Sequence, residues 1–311
     1  MAADIKTKIK YYEQRYFSND EPVPFVGGLK IYPVLVKDYY KFYSVISCFT
    51  INKNEDNEGI SMSNLEYLYY RMTSNEDENG AMISQFVNLL EMIFHITYGL
   101  KCPKCGKILS YDEVGGVIKK LQRDAGKDTD KAQNDIKEYL MSIQICSDCE
   151  QERYETIRYE YDKKRCLLFV DNIKITKRDF DELRKVVCFQ NMPDYDDDYI
   201  DPELKAELEE AARLRNPNNV QPSLEKQECC IISSTGYTFE TIKNISIRKL
   251  VMLLRTIDSK LHYFAYRQAE ASGMVSFKGE LNHWIYGESK EDKFAHIQKL
   301  DDFKDKLKHV T

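Results

Sequence analysis

Cys102-Pro103-Lys104-Cys105-Gly106 and, with forty residues between, Cys146-Ser147-Asp148-Cys149 are the stretches on which the reading of this chain turns. Each Cys-x-x-Cys loop offers two thiolates, and two such loops complete a tetrahedron around Zn²⁺. Gly106 permits the tight backbone turn under a metal, where a Cβ would crowd the loop. All four candidate ligands, Cys102, Cys105, Cys146 and Cys149, are thiols. Such a set is closed and leaves no position for water or substrate, so zinc here is expected to be structural. The separation exceeds the roughly 15–20 residues of a compact ribbon. An inserted element is therefore expected between the pairs, with the charged stretch Asp124 to Asp135 as its partly flexible centre. Two competing readings are reduced surface thiols and a redox Cys-x-x-Cys.

Outward from this module, over residues 100–162, the sequence divides into three further parts. Residues 1–99 read as an α+β domain. An amphipathic helix is expected over 4–17, since Ile5, Ile9, Tyr12 and Tyr16 share a face. A strand over 29–36, which Pro33 marks as an edge strand or a bend, leads into an aromatic helix over 38–48. Ser63 and Glu66 form a capping box for a helix through Met72. The polar run 75–80 reads as a loop before a buried helix over 82–98, which Gly99 ends. Within that helix His95 reads as a core residue.

Residues 163–216 read as a hairpin plus helices. Strands 165–170 and 173–175 flank Asp171-Asn172, a turn pair that tolerates positive φ. Thr176 with Asp179 caps a helix to Cys188. An acidic segment follows, with nine acids against Lys205 alone over 191–210. A solvated loop is the simpler reading of Asp194 to Asp201, which lacks the spacing of a calcium loop. A helix is expected from Asp201-Pro202 to Arg215. Residues 217–311 read as a helical domain, with its long helix capped by Ser246, running to Ala271 and ended by Gly273. The fold class is thus α+β, mainly helical, with small antiparallel strand elements. The helices over 82–98 and 246–271 are expected to be the most buried.

At 311 residues and 42% hydrophobic content the chain is long enough for real cores. No apolar run reaches membrane-spanning length, and Met-Ala-Ala-Asp-Ile-Lys opens without a leader's apolar stretch. Nine cysteines, an odd and scattered set, fit a reducing compartment. A net charge of −6 runs against a general nucleic-acid binder. The helix over 241–268 is the exception, with six bases against Asp258. Following Thr235-Gly236, it superficially resembles a helix-turn-helix that would put Arg248 and Lys249 near phosphates. Pairing with an acidic segment or an acidic protein is the simpler reading. No phosphate loop, nucleophile elbow or His-Glu-x-x-His motif is written. The Phe277, Trp284 and Tyr286 aromatics read as a partner surface or as packing.

Two stretches carry a resemblance. One is LKIYPVLVKDYYKF over 29–42. The other extends from 200 to 292, with TGYT at 235–238, IRKL at 247–250, DSKLHY at 258–263, SGMVSFKG at 272–279 and His283-Trp284. Together they cover roughly a third of the chain. They resemble tail-module proteins of tailed bacteriophages, identified as tail assembly chaperones, in which the zinc insertion is not a family feature. The resemblance implies a non-enzymatic role: binding the aggregation-prone tape measure protein, or another tail protein, during tail assembly. It implies the host cytoplasm during assembly. A virion component of tail or baseplate, and a zinc-dependent nucleic-acid binder, are the alternatives. A homo-oligomer is also compatible with the sequence.

Overall fold

The spacing of apolar residues in the first hundred positions produces helices, and a computed structural model places them. It describes residues 5–74, 76–126, 128–162, 165–195, 210, 222–272 and 283–285. α1 (Ile5–Arg15) precedes a short antiparallel ladder of β1 (Val23–Pro24) and β2 (Lys30–Ile31). α2 (Tyr39–Val45), α3 (Ser47–Thr50), α4 (Asn64–Ser74) and α5 (Glu76–Phe94) follow. An excursion then comprises β3 (Gly99–Lys101), β4 (Ile108–Ser110), α6 (Tyr111–Ala125), α7 (Thr129–Ser142) and β5 (Tyr154–Glu155). The chain returns through β6 (Ile157–Asp162), β7 (Arg165–Val170), β8 (Ile173–Ile175) and α8 (Lys177–Asn191). α9 (Leu224–Ser234), α10 (Phe239–Lys243) and α11 (Ile247–Ala271) complete the described elements. The fold is α+β and mainly helical, with antiparallel sheets of two and three strands.

The local signals act as their chemistry requires. The Ser63 N–H donates to Glu66 Oε2 at 2.9 Å, and the Glu66 N–H returns to Ser63 Oγ at 3.3 Å. Burial pushes the Glu66 carboxyl up, but Lys177 and Ser63 donate to it and hold it at about 2. Thr176 and Asp179 close the same reciprocal pair at the start of α8. Asp171 and Asn172 turn β7 into β8 with φ of 49° and 63°, the left-handed pair the sequence prescribes.

The strand expected over 29–36 shortens to β2. Its next N–H groups find partners outside any sheet. Tyr32 donates to the Ile93 carbonyl at 2.8 Å, Val34 to Asn191 Oδ1 at 2.9 Å, and Val36 to the Ile245 carbonyl at 2.9 Å. Pro33 has no N–H to place. The segment is therefore an extended strap, with Ile31, Val34 and Val36 buried. Residues 76–80, expected in a loop, are the first turns of α5. That helix stops at Phe94, where His95 takes φ 53° and the Ile96 N–H reaches back to the Glu91 carbonyl, a left-handed cap. His95 is exposed and stacks on Tyr32 at 3.9 Å, so it is not a core residue. Gly99 ends no helix. It lies in β3, where an added Cβ would meet the Leu109 carbonyl oxygen at 2.2 Å.

One large core joins parts that the sequence reading set apart. Phe42, Phe49, Leu65, Phe86, Leu89 and Ile93 pack in one cluster with Ile157, Leu168, Val170, Phe180 and Leu183. Among the described residues, the parts 1–99 and 163–216 therefore share one core. Each amphipathic helix and the sheet β6-β7-β8 has one apolar face, and they cover one another. The chain divides into a unit of residues 1–252 and a unit of residues 253–311.

α11 departs furthest from expectation. Ser246 starts it, accepting the Lys249 N–H at 3.1 Å. Only Ile247 and Leu250 are buried, while Leu261 is 61% and Phe264 54% exposed. Its apolar periodicity is real, but spacing defines a face and not what covers it. Most of the acidic run after Tyr195, the expected helix 202–215, Gly273, Phe277 and Tyr286 lie outside the described residues.

Candidate metal centre

Two short turns of nearly identical backbone build the site. In the first, the Cys102 N–H donates to the Lys107 carbonyl at 2.9 Å, and Gly106 to the Cys102 carbonyl at 3.0 Å. In the second, the Cys146 N–H donates to the Gln151 carbonyl at 2.8 Å, and Glu150 to the Cys146 carbonyl at 2.8 Å. Gly106 takes φ 72°, and Glu150, at the equivalent place, takes φ 53°. Glycine meets this demand without strain; glutamate meets it at a modest energetic cost. The turns are two copies of one knuckle. Only the first carries the glycine that makes the motif readable.

The four sulfurs face one another. Cys102, Cys105, Cys146 and Cys149 bring all their Sγ atoms within 4.8 Å, and Cys105 lies 3.7 Å from Cys146. A tetrahedron with Zn–S bonds of about 2.3 Å has edges of about 3.8 Å. The site therefore has the donor number, donor type and size for a metal ion. Cys102 and Cys146 are fully buried, Cys149 is half-buried and Cys105 is exposed.

Backbone donors prepare the sulfurs for anionic charge. The Asp148 N–H, working against burial, helps bring the Cys146 thiol down to about 6. The Cys105 and Lys104 N–H groups lower Cys102. Cys149 is pushed up to about 12 by hydrogen bonding to its neighbour Cys105, by burial and by like-charge repulsion. A divalent ion among the sulfurs removes that opposition, because a coordinated thiol is deprotonated outright. Lys107 pairs with Asp148 across the two knuckles, but both are exposed and screened by solvent, so this bridge adds little.

The forty residues between the knuckles form a helical hairpin. α6 opens with Ser110 and Glu113 in a capping box, and Asp128 caps α7. The expected partly flexible centre at 124–135 is largely helix, closing α6 and opening α7. Leu100, Val114 and Ile143 bury a small core, lined by Leu109, Tyr111, Ile118 and Tyr139, between this hairpin and the sheet β4-β3-β5. The base of the module is tied down by Thr156. It accepts the Gly99 N–H at 3.0 Å and donates to the Thr97 carbonyl at 2.7 Å. Lys101 and Tyr154 both donate to Asp171 at the β7–β8 turn, at 2.7 Å. Neither Thr156 nor Asp171 carries a metal-site signature in the sequence.

The other candidate residues make contacts of their own. Arg248 donates to the Phe189 carbonyl at 2.8 Å, pairs with Glu13 and is 12% exposed. Lys249 lies 3.4 Å from Asp20. Both make contacts within the chain, Arg248 largely covered and Lys249 with 40% of its side chain exposed. Trp284 is half-buried beside His283, whose ring lies 5.0 Å from Tyr263 of α11. Among the described residues, no helix is long and apolar enough to cross a membrane. Comparison with protein-family models, curated proteins and solved structures returns no match.

Proposed function

We propose that the metal is zinc, that it is structural, and that the chain is a non-enzymatic assembly protein which binds another protein. The closed set of four sulfurs supports the first part, since it leaves no coordination position for a substrate. The exposed apolar row of α11 carries the second. Leu261 at 61% and Phe264 at 54% are accessible one turn apart, in line with half-buried Leu254 and Ile257 on the same face of the helix. Contiguous apolar surface of this kind suits helix-in-groove or helix-on-helix contact. The resemblance over 29–42 and 200–292 names the partner as a phage tail protein, the tape measure protein first. An exposed tape measure helix has the complementary chemistry, an apolar stripe awaiting enclosure.

The double substitution Leu261→Asp with Phe264→Asp tests the surface. Both side chains are exposed, so each change should alter stability by no more than about 0.5 kcal/mol. Co-purification of the tape measure protein from infected cells should be lost at unchanged melting temperature. Co-purification at the wild-type level would remove α11 from the interface. A wild-type chain that associates with no tail protein would overturn the assembly role itself.

A further inference from the structure

Arg153 stands between the second knuckle and the end of α7, and no motif singles it out. Its Nη1 donates to the Ile143 carbonyl at 3.1 Å, and its backbone N–H to the Gln144 carbonyl at 2.7 Å. Ile143 is the C-terminal cap residue of α7. The backbone pairs Arg153 to Gln144 and Cys146 to Gln151 set this side chain beside the second knuckle, where its charge helps lower the Cys146 thiol. Its Nε is buried without a hydrogen-bond partner. A guanidinium cannot shed its proton, so a buried N–H of this kind needs negative charge nearby. Two sources face it. One is the partial negative charge at the carboxyl end of α7. The other is the sulfur cluster, because four thiolates around a divalent cation leave a net double negative charge.

We propose that Arg153 is a positioning residue of the metal centre: it offsets part of the thiolate charge and fixes the end of the helical hairpin beside the second knuckle. The proposal rests on the reading of the four cysteines as a zinc site. Lysine would retain the charge at this place without the planar fork, and glutamine would retain a donor for Ile143 without the charge. Donors around first-layer ligands generally set metal affinity by about 10–100-fold.

The test is zinc affinity of the full chain, by competition with a chromophoric chelator, for wild type, Arg153→Gln, Arg153→Lys and the hairpin control Lys120→Met. Arg153→Gln should weaken zinc binding by about 10–100-fold. Arg153→Lys should recover most of that loss, and Lys120→Met should match wild type. Equal loss in the Gln and Lys variants would overturn the charge role and leave only packing against Ile143. Wild-type affinity in Arg153→Gln would overturn the proposal while the zinc reading stands. A wild-type chain that binds no zinc would bring down both. If Arg153→Gln does not fold, the comparison of Arg153→Lys with wild type decides. A Lys variant that folds and binds zinc within a few-fold of wild type supports the charge role, and one that loses as much as about 10–100-fold overturns it.

Discussion

Cys146→Ser is expected to abolish stoichiometric zinc binding and to unfold residues 100–153 while the large core stays folded. The hairpin module buries only Leu100, Val114 and Ile143 fully among its apolar side chains outside the knuckles. A core of that size cannot offset the chain entropy of some fifty ordered residues. The metal must supply the difference, and structural zinc in small domains binds with about 10–16 kcal/mol of apparent free energy, which is also folding free energy. Serine removes a buried ligand at the centre of the set. Beyond the module, Thr156 and the Lys101–Asp171 pair attach to the sheet β6-β7-β8, so disorder should stop there. Hydrogen exchange read by segment checks this. Protection should vanish in α6 and α7 and persist in α5 and α8. Full protection of the hairpin without zinc would show that the metal does not hold it.

Phe180→Ala should cost the large core about 3–5 kcal/mol, the range for a buried aromatic truncated in a tightly packed site. Phe180 is 1% exposed, and its ring meets Phe49 edge-on at 5.3 Å and Phe86 at 6.4 Å. Phe49 and Phe86 come from the first hundred residues and Phe180 from α8, so the cavity would open where the two parts of the chain meet. Urea unfolding should show a single transition for this core, shifted to lower denaturant, with zinc content unchanged. A loss below about 1 kcal/mol would mean that the aromatic cluster relaxes into the space. Separate transitions for the two parts would contradict the shared core.

The residues whose signals are local were legible. Ser63 with Glu66, Thr176 with Asp179, and Asp171-Asn172 each determine a cap or turn within four residues, and the structure builds all three. The four cysteines were legible because thiol pairs at this spacing have few other uses. The hairpin between them was legible only as an insertion, since charged stretches and Gly115-Gly116 weaken its helical signal. What the sequence hid depends on distant partners. His95 looks like a helix-core residue until Tyr32 is seen against its ring. Gly99 looks like a helix stop until Leu109 closes over it. The row Leu250, Leu253, Leu254, Ile257, Leu261 and Phe264 has a helix's periodicity, but periodicity gives a face and not its cover. Arg153 had no signal, because its role comes from a knuckle that lacks the glycine of its twin.

A metal joining the two knuckles is what holds the hairpin module together. Native mass spectrometry of the full chain, purified under reducing conditions without added metal, measures this directly. One zinc ion per chain, lost together with hairpin helicity on chelation, is the expected result. A chain that carries no zinc, binds none when it is supplied, and presents four freely titrating thiols at Cys102, Cys105, Cys146 and Cys149 would contradict the account.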